Sequence, residues 1–144
     1  MHIRDYHHDD YDVVTALWQS LDLPIKRNGR DRRDRIDRQI EAGGVFLLVA
    51  EQDGEIIGTL MGSHDCRKGW INRLAVAPAF QRAPIGVAVR LLELAEQRFQ
   101  SLGIEIFACL IEGHNQTSMH FFRRLGYSYF EGMAYYSKRL RPDV

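Results

Sequence analysis

The stretch whose residue types and spacing carry the most chemistry is Gln81-Arg82-Ala83-Pro84-Ile85-Gly86. It lies between an apolar, partly β-branched run, Trp70 to Val76, closed by the breaker Pro78, and a segment with helical spacing. In that segment Ala88, Leu91, Leu92, Ala95, Phe99 and Leu102 fall on one face. A strand that turns directly into a helix leaves the first helical N–H groups without intrahelical partners, at the positive end of the dipole. Such a turn suits an anion, and a phosphate group in particular. Pro84 contributes no N–H and restricts Ala83 before it, so this turn is stiffer and has one donor fewer than a glycine-rich one.

Other reactive residues carry less. His7-His8 has no third ligand at helical or strand spacing, so a solvated loop is expected and no metal site. Cys66 stands beside Arg67 and Lys68 but lacks a matched base, and reads as a bystander thiol. Cys66 and Cys109 have neither metal-ligand spacing nor disulfide density, which suits a reducing compartment. The segment Lys26 to Arg38, KRNGRDRRDRIDR, is locally positive, with acids four residues before arginines at Asp31/Arg35 and Asp34/Arg38. A solvated, salt-laced helix is the first reading of it; a wall of a substrate site is the second.

The elements that would position these residues follow in order. Met1 to Tyr6 is expected as a short edge strand. Asp9-Asp10 then caps a helix through Val13, Val14, Leu17, Trp18 and Leu21, ending at Asp22-Leu23-Pro24. Gly43-Gly44 closes the charged helix, and Val45 to Glu51, Asp53-Gly54 and Ile56 to Gly62 form a hairpin signal. Ile104 to Ile111 is apolar on both faces, like an inner strand. Asn115 caps a helix whose apolar face is Ser118, Phe121, Phe122 and Leu125, with Gly126 as its left-handed stop. Tyr127 to Leu140 reads as two aromatic-rich strands broken near Gly132.

At 144 residues the chain suits one compact domain, residues 1–144. Nineteen basic and nineteen acidic residues leave no net charge, which argues against nucleic acid or an anionic membrane as the main partner. The polar start MHIRDYHHDDYD lacks the apolar core of a signal peptide, and no run approaches the length of a membrane span, so a cytoplasmic protein is expected.

The turn Gln81 to Ala88 resembles the acyl-CoA signature Gln/Arg-x-x-Gly-x-Gly/Ala of the GNAT acetyltransferase superfamily, with Gln81 and Gly86 matching and Pro84 in the place of the first glycine. Asn115 to Tyr127 resembles the second signature, Asn-x-x-Ala-x-x-Phe/Leu-Tyr-x-x-x-Gly-Phe/Tyr, with Ser118 for alanine and Phe122 for the tyrosine. In layout the chain is most similar to the ribosomal-protein N-terminal acetyltransferase (RimI-like) group. The resemblance implies an α/β GNAT fold: a mixed, mostly antiparallel sheet with splayed central strands, flanked by helices. It implies direct, acetyl-CoA-dependent transfer of an acetyl group to a primary amine, either a protein N-terminus or a small molecule.

It also implies a site. Acetyl-CoA, as co-substrate, would lie between the strand at Leu74, Ala75 and Val76 and the strand near Cys109, with Gln81, Arg82, Ala83, Ile85, Gly86 and Val87 at its pyrophosphate and Asn115 and Phe122 along its arm. The N–H near Leu74 would face the thioester oxygen. The group's base is a glutamate at a position held here by Leu110; Glu112, an even offset further on, is the first candidate base. Asp65 is the second, His64 beside it another, and Asn72 would hold a water. With Phe122 unable to donate a proton, Tyr127, Tyr135 or Tyr136 would replace it, or the thiolate would leave unaided. The altered positions Pro84, Leu110 and Phe122 support a competing reading, a non-catalytic acyl-CoA-binding or sensing module. A homodimer paired through the aromatic final strand is a further expectation.

Overall fold

Alternation along Val45–Gln52 sorts that strand between two cores. Phe46, Leu48 and Ala50 pack into one hydrophobic cluster, Leu47 and Val49 into the other. The turn after it is a two-residue one, Asp53-Gly54, both at positive φ (52° and 83°), which matches the twist of a tight hairpin. In the computed structural model, which describes residues 1–82 and 86–144, this hairpin is the middle of a five-stranded sheet. The strands are β1 (His2–Asp5), β2 (Val45–Gln52), β3 (Glu55–His64), β4 (Gly69–Val76) and β5 (Phe107–Cys109), side by side in that order. All neighbours are antiparallel except β4 and β5, which are parallel and joined through a crossover helix.

Helices α1 (Tyr11–Ser20) and α2 (Arg33–Glu41) cover one face. There Tyr11, Val14, Leu17, Trp18 and Ile36 meet Leu47, Val49 and Met61. Helices α3 (Val87–Ser101) and α4 (Gln116–Arg124) cover the other, where Val87, Leu91, Leu92, Ala95, Phe99 and Phe122 pack on Phe46, Leu48 and Leu60. The α3 face is the apolar stripe expected from its spacing. The helix sits close to the sheet because glycines face it: a Cβ on Gly69 would come within 2.8 Å of the Phe99 ring.

Four expectations are corrected. The inner strand is three residues long, not eight. Residues 128–144 contain no helix or strand, so the expected final strands are not formed within this chain. The lead-in to α1 is a 3-10 turn, His8–Asp10, held by a reciprocal box in which the His7 side chain accepts from the Asp9 N–H and Asp10 accepts from the His7 N–H, while α1 itself has no side-chain cap. In the charged segment Asp34 does reach Arg38 (3.6 Å), but Asp31 lies before the helix and pairs with Arg73 instead. Among the described residues no helix is long and apolar enough to cross a membrane, and no group of His, Cys, Asp and Glu could hold a metal.

Candidate active site

The two parallel strands part in the middle of β4. Pairing with β5 runs from Gly69↔Phe107 to Ile71↔Cys109 and stops there, so among the described residues Leu74, Ala75 and Val76 have no strand partner on that side. On the other side the register against β3 jumps from Met61↔Asn72 to Thr59↔Ala75, which puts one extra residue in β4. The bulge carries Arg73 in the left-handed region (φ 51°), a costly conformation for a residue with a side chain.

Three groups hold it there. The Thr59 hydroxyl donates to the Arg73 carbonyl (3.0 Å) and accepts from the Trp18 indole N–H (2.8 Å). The Arg73 guanidinium donates to Asp31 Oδ2 and to the Pro24 carbonyl, both at 2.7 Å, and lies over the Trp18 ring. Asp31 in turn accepts from the Lys26 N–H (2.8 Å), while its carbonyl accepts from the Tyr11 hydroxyl (2.9 Å). The ion pair is deeply buried, with side chains 11% and 7% exposed. The loop between α1 and α2 is thereby locked to the bulge that separates β4 from β5.

The helix end comes next. Gly86 is left-handed (φ 62°) and starts α3 with, among the described residues, no side-chain cap and no acid in its first turn, the end of a helix that favours negative charge. Val87 is buried over β3, and a Cβ on Gly58 would lie 2.8 Å from its Cγ1 and 3.2 Å from the Ala75 carbonyl. Gly58 therefore sets how near the helix end sits to the end of β4. Gln81 donates its side-chain amide to the Val76 carbonyl (3.0 Å), tying the turn to the strand. Arg82 is exposed. Ala83, Pro84 and Ile85 lie outside the described residues. Leu74, Ala75, Val76, Gln81, Gly86 and Val87 are thus gathered at one end of β4.

The remaining candidates are more scattered. Glu112 lies past the end of β5 in an exposed loop, 3.4 Å from His114 Nε2, and the strand that was to orient it has already ended. Asn115 caps α4, its Oδ1 accepting from the Ser118 N–H (3.0 Å). Phe122 is core, edge-on to Phe121 and Tyr127. Asp65 sits before the start of β4 and accepts from the Arg67 and Lys68 N–H groups (2.9 Å each). Those backbone bonds hold its carboxyl below the usual carboxylate range, which makes it a weaker base, and the five steps from Gly69 to Leu74 span about 16 Å of strand. His64, at the same end, approaches the Gly43 carbonyl (3.2 Å). Asn72 donates to Ser63 across the strands (3.2 Å). Tyr127 donates its hydroxyl to Glu96 (2.7 Å), and burial holds its proton on more tightly than in water, so it is a structural hydroxyl. Burial also pushes the Cys109 thiol up to about 11, so the thiol at the fork is neutral and inert. The Arg73–Asp31 pair was missed because no local spacing announces two residues that far apart in sequence.

A parallel strand pair that parts beside a bulge, with a helix start that has no side-chain cap nearby, leaves backbone at the end of β4 open to a ligand. The chain belongs to the acetyltransferase (GNAT) family, whose model matches residues 10–127. It is accordingly an N-acetyltransferase with acetyl-CoA as co-substrate. It is 29% identical over 143 residues to an acetyltransferase of Sodalis glossinidius (strain morsitans), covering 99% of this chain and 98% of that one. Among solved structures it is similar to the aminoglycoside 6'-N-acetyltransferase AAC(6')-IG of Acinetobacter haemolyticus (TM-score 0.79, 21% identity, 98% and 100% of the two chains). It is also similar to an acetyltransferase of Clostridium acetobutylicum solved with acetyl-CoA (TM-score 0.74, 15% identity, 94% and 95%).

Proposed function

We propose that the protein transfers the acetyl group directly from acetyl-CoA to the uncharged amine of a protein N-terminus or of a small molecule that is not a polycation. The observation that carries the reading is the fork: β4 leaves β5 after Ile71, and among the described residues Leu74 to Val76 have no strand partner on the β5 side, near the start of α3. The Leu74 N–H is assigned to the thioester oxygen, the Val76 backbone and Asn115 to the pantetheine arm, and the first turn of α3 with Gln81 and Arg82 to the pyrophosphate. The turn residues Ala83 and Ile85 are assigned there by family resemblance alone. Phe122 is assigned to the packing behind the arm, since its ring is buried.

The acceptor class follows from charge. The segment joining α1 to α2 carries Lys26, Arg27 and Arg30, while Arg32 is held by Asp34, and it borders the bulge through Asp31 and Pro24, so an acceptor arriving along it meets cations. Several of the similar structures are aminoglycoside acetyltransferases, yet a polycationic acceptor would be repelled here. An α-amine, with a pKa of about 7.7–8.0, is partly neutral at physiological pH and asks less of a base than a lysine amine near about 10.4. An exposed carboxylate such as Glu112 is adequate for that proton. The free thiols of Cys66 and Cys109 support a cytosolic location, and the exposed aromatics beyond α4 support a homodimer.

The test is calorimetric titration with acetyl-CoA and with CoA, followed by an amine panel that includes N-terminal peptides, polyamines, amino sugars and amino acids. Micromolar binding with turnover on peptides or amino acids is expected. No binding at millimolar ligand, or turnover on polycations alone, overturns the reading.

A further inference from the structure

The geometry points to Thr59 as a positioning residue for acyl transfer: with Trp18 behind it, its hydroxyl sets the tilt of the Arg73–Leu74 peptide and so aims the Leu74 N–H into the fork. Thr59 lies in the middle of β3 and is fully buried, as is Trp18. A hydroxyl at that depth is costly unless its hydrogen-bonding capacity is used. It is used twice, and the direction of each bond is forced. An indole N–H can only donate and a carbonyl can only accept. The Thr59 oxygen therefore accepts from Trp18 (2.8 Å) and gives its one proton to the Arg73 carbonyl (3.0 Å).

The second bond holds a peptide that the sheet leaves loose. The register against β3 steps from Thr59↔Ala75 to Met61↔Asn72, so Arg73 and Leu74 share the position opposite Leu60 and neither has a ladder partner there. The Arg73 guanidinium is anchored by Asp31 and the Pro24 carbonyl. A tethered side chain fixes its own Cα, however, and the peptide plane beyond that Cα can still turn. Holding the carbonyl removes this freedom.

The direction of the N–H follows from the trans peptide, whose C=O and N–H point opposite ways. β3 and β5 flank β4 on its two sides. With the Arg73 oxygen turned toward Thr59 on β3, the Leu74 N–H leaves on the other side, where β5 has parted after Ile71. Thr59 lies across β4 from that space and acts only through the peptide. A donor aimed before the ligand arrives needs no reorganisation when charge develops on the oxygen it faces. This role rests on the proposed assignment of the Leu74 N–H to the thioester oxygen.

The test compares two ligands that differ by the acetyl group. CoA has no carbonyl for the Leu74 N–H to meet, so a loss confined to acetyl-CoA reports the donor, whereas a damaged fork weakens both. Thr59→Val keeps the shape of the side chain and removes both bonds. By calorimetry its affinity for acetyl-CoA should fall by about two- to tenfold, the worth of one neutral hydrogen bond, with its affinity for CoA unchanged. With acetyl-CoA labelled with ¹³C at the thioester carbonyl, the infrared stretch should lie at lower frequency on the wild-type protein than in solution. On Thr59→Val it should return to the solution position, and Thr59→Ser should restore both the shift and the affinity.

Thr59→Cys serves if the valine variant does not fold, because a thiol fills the same space and donates only weakly. Its carbonyl stretch should fall between the wild-type and solution positions. A full wild-type shift in the valine or cysteine variant overturns the positioning role, and so do equal losses of affinity for CoA and acetyl-CoA. Wild-type protein that binds acetyl-CoA without shifting its carbonyl, or does not bind it, sinks the assignment of the Leu74 N–H and this role with it. A wild-type shift that survives in the variants overturns the role of Thr59 alone, so the two failures are distinct.

Discussion

The candidate acid and base groups are single side chains, and their surroundings set what each can do. Asp65 spends its lone pairs on the Arg67 and Lys68 amides, whereas among the described residues the exposed Glu112 carboxylate meets only His114. Glu112→Gln is therefore expected to lower kcat/KM for an amine acceptor by about ten- to a hundredfold, with acetyl-CoA affinity unchanged, whereas Asp65→Asn should leave kcat/KM within about twofold. Steady-state kinetics against calorimetry separates the two; equal losses would move the base elsewhere. Cys109 offers a pH readout. Raising a thiol's pKa favours the neutral form, so with a value of about 11 it resists alkylation at neutral pH and becomes reactive as pH climbs toward that value. Mass spectrometry after iodoacetamide treatment should find Cys66, which is exposed, labelled first.

At the scale of elements, the fork depends on a latch. Removing one member of a buried ion pair strands the other, at a typical cost of about 3–5 kcal/mol, whereas replacing both with apolar residues costs less. Asp31→Asn should therefore destabilise the fold by more than Asp31→Leu with Arg73→Leu together, read by urea denaturation. The double variant loses the positive-φ bulge's anchor as well, so its kcat should fall even where its stability is regained. Gly58→Ala probes the other side of the fork. Its methyl would press on Val87 at 2.8 Å, displacing the first turn of α3, and the affinity for CoA should drop more than the acceptor KM.

These elements also show what a sequence makes legible. The hairpin and α3 were readable because their periods, two and 3.6, repeat over eight or more residues and report burial directly. The anchor at Asn115 was readable because capping is a local event, and the structure shows its hydrogen bond. Asp31 was assigned to Arg35 by the same local logic, and there it failed. Its partner Arg73 is brought in by tertiary packing against Trp18, which no spacing encodes. The strands expected after Tyr127 failed for a related reason: strand propensity states what a segment can pair with in general, and leaves unsaid whether the partner is on the same chain. The site residues near the fork were placed by family signatures, not by geometry.

At the scale of the whole molecule, β1 to β4 pair along their lengths with one bulge in β4, while β5 is attached by three residue pairs and the helix that follows it packs mainly through Phe122. The half of the fold beyond the fork is therefore held more weakly than the half before it. A ligand that spans the fork joins them, and mass action converts its binding into stability: at a hundredfold excess over Kd the gain is about 2.7 kcal/mol. For a domain of this size each kcal/mol is worth about 2–4 °C, so acetyl-CoA should raise Tm by about 5–10 °C. Hydrogen exchange should find the added protection concentrated in β5, α4 and the amides at the start of α3, with β2 and β3 unchanged because they are already closed to solvent. A rise in Tm with protection spread evenly over the sheet would place the ligand somewhere other than the fork.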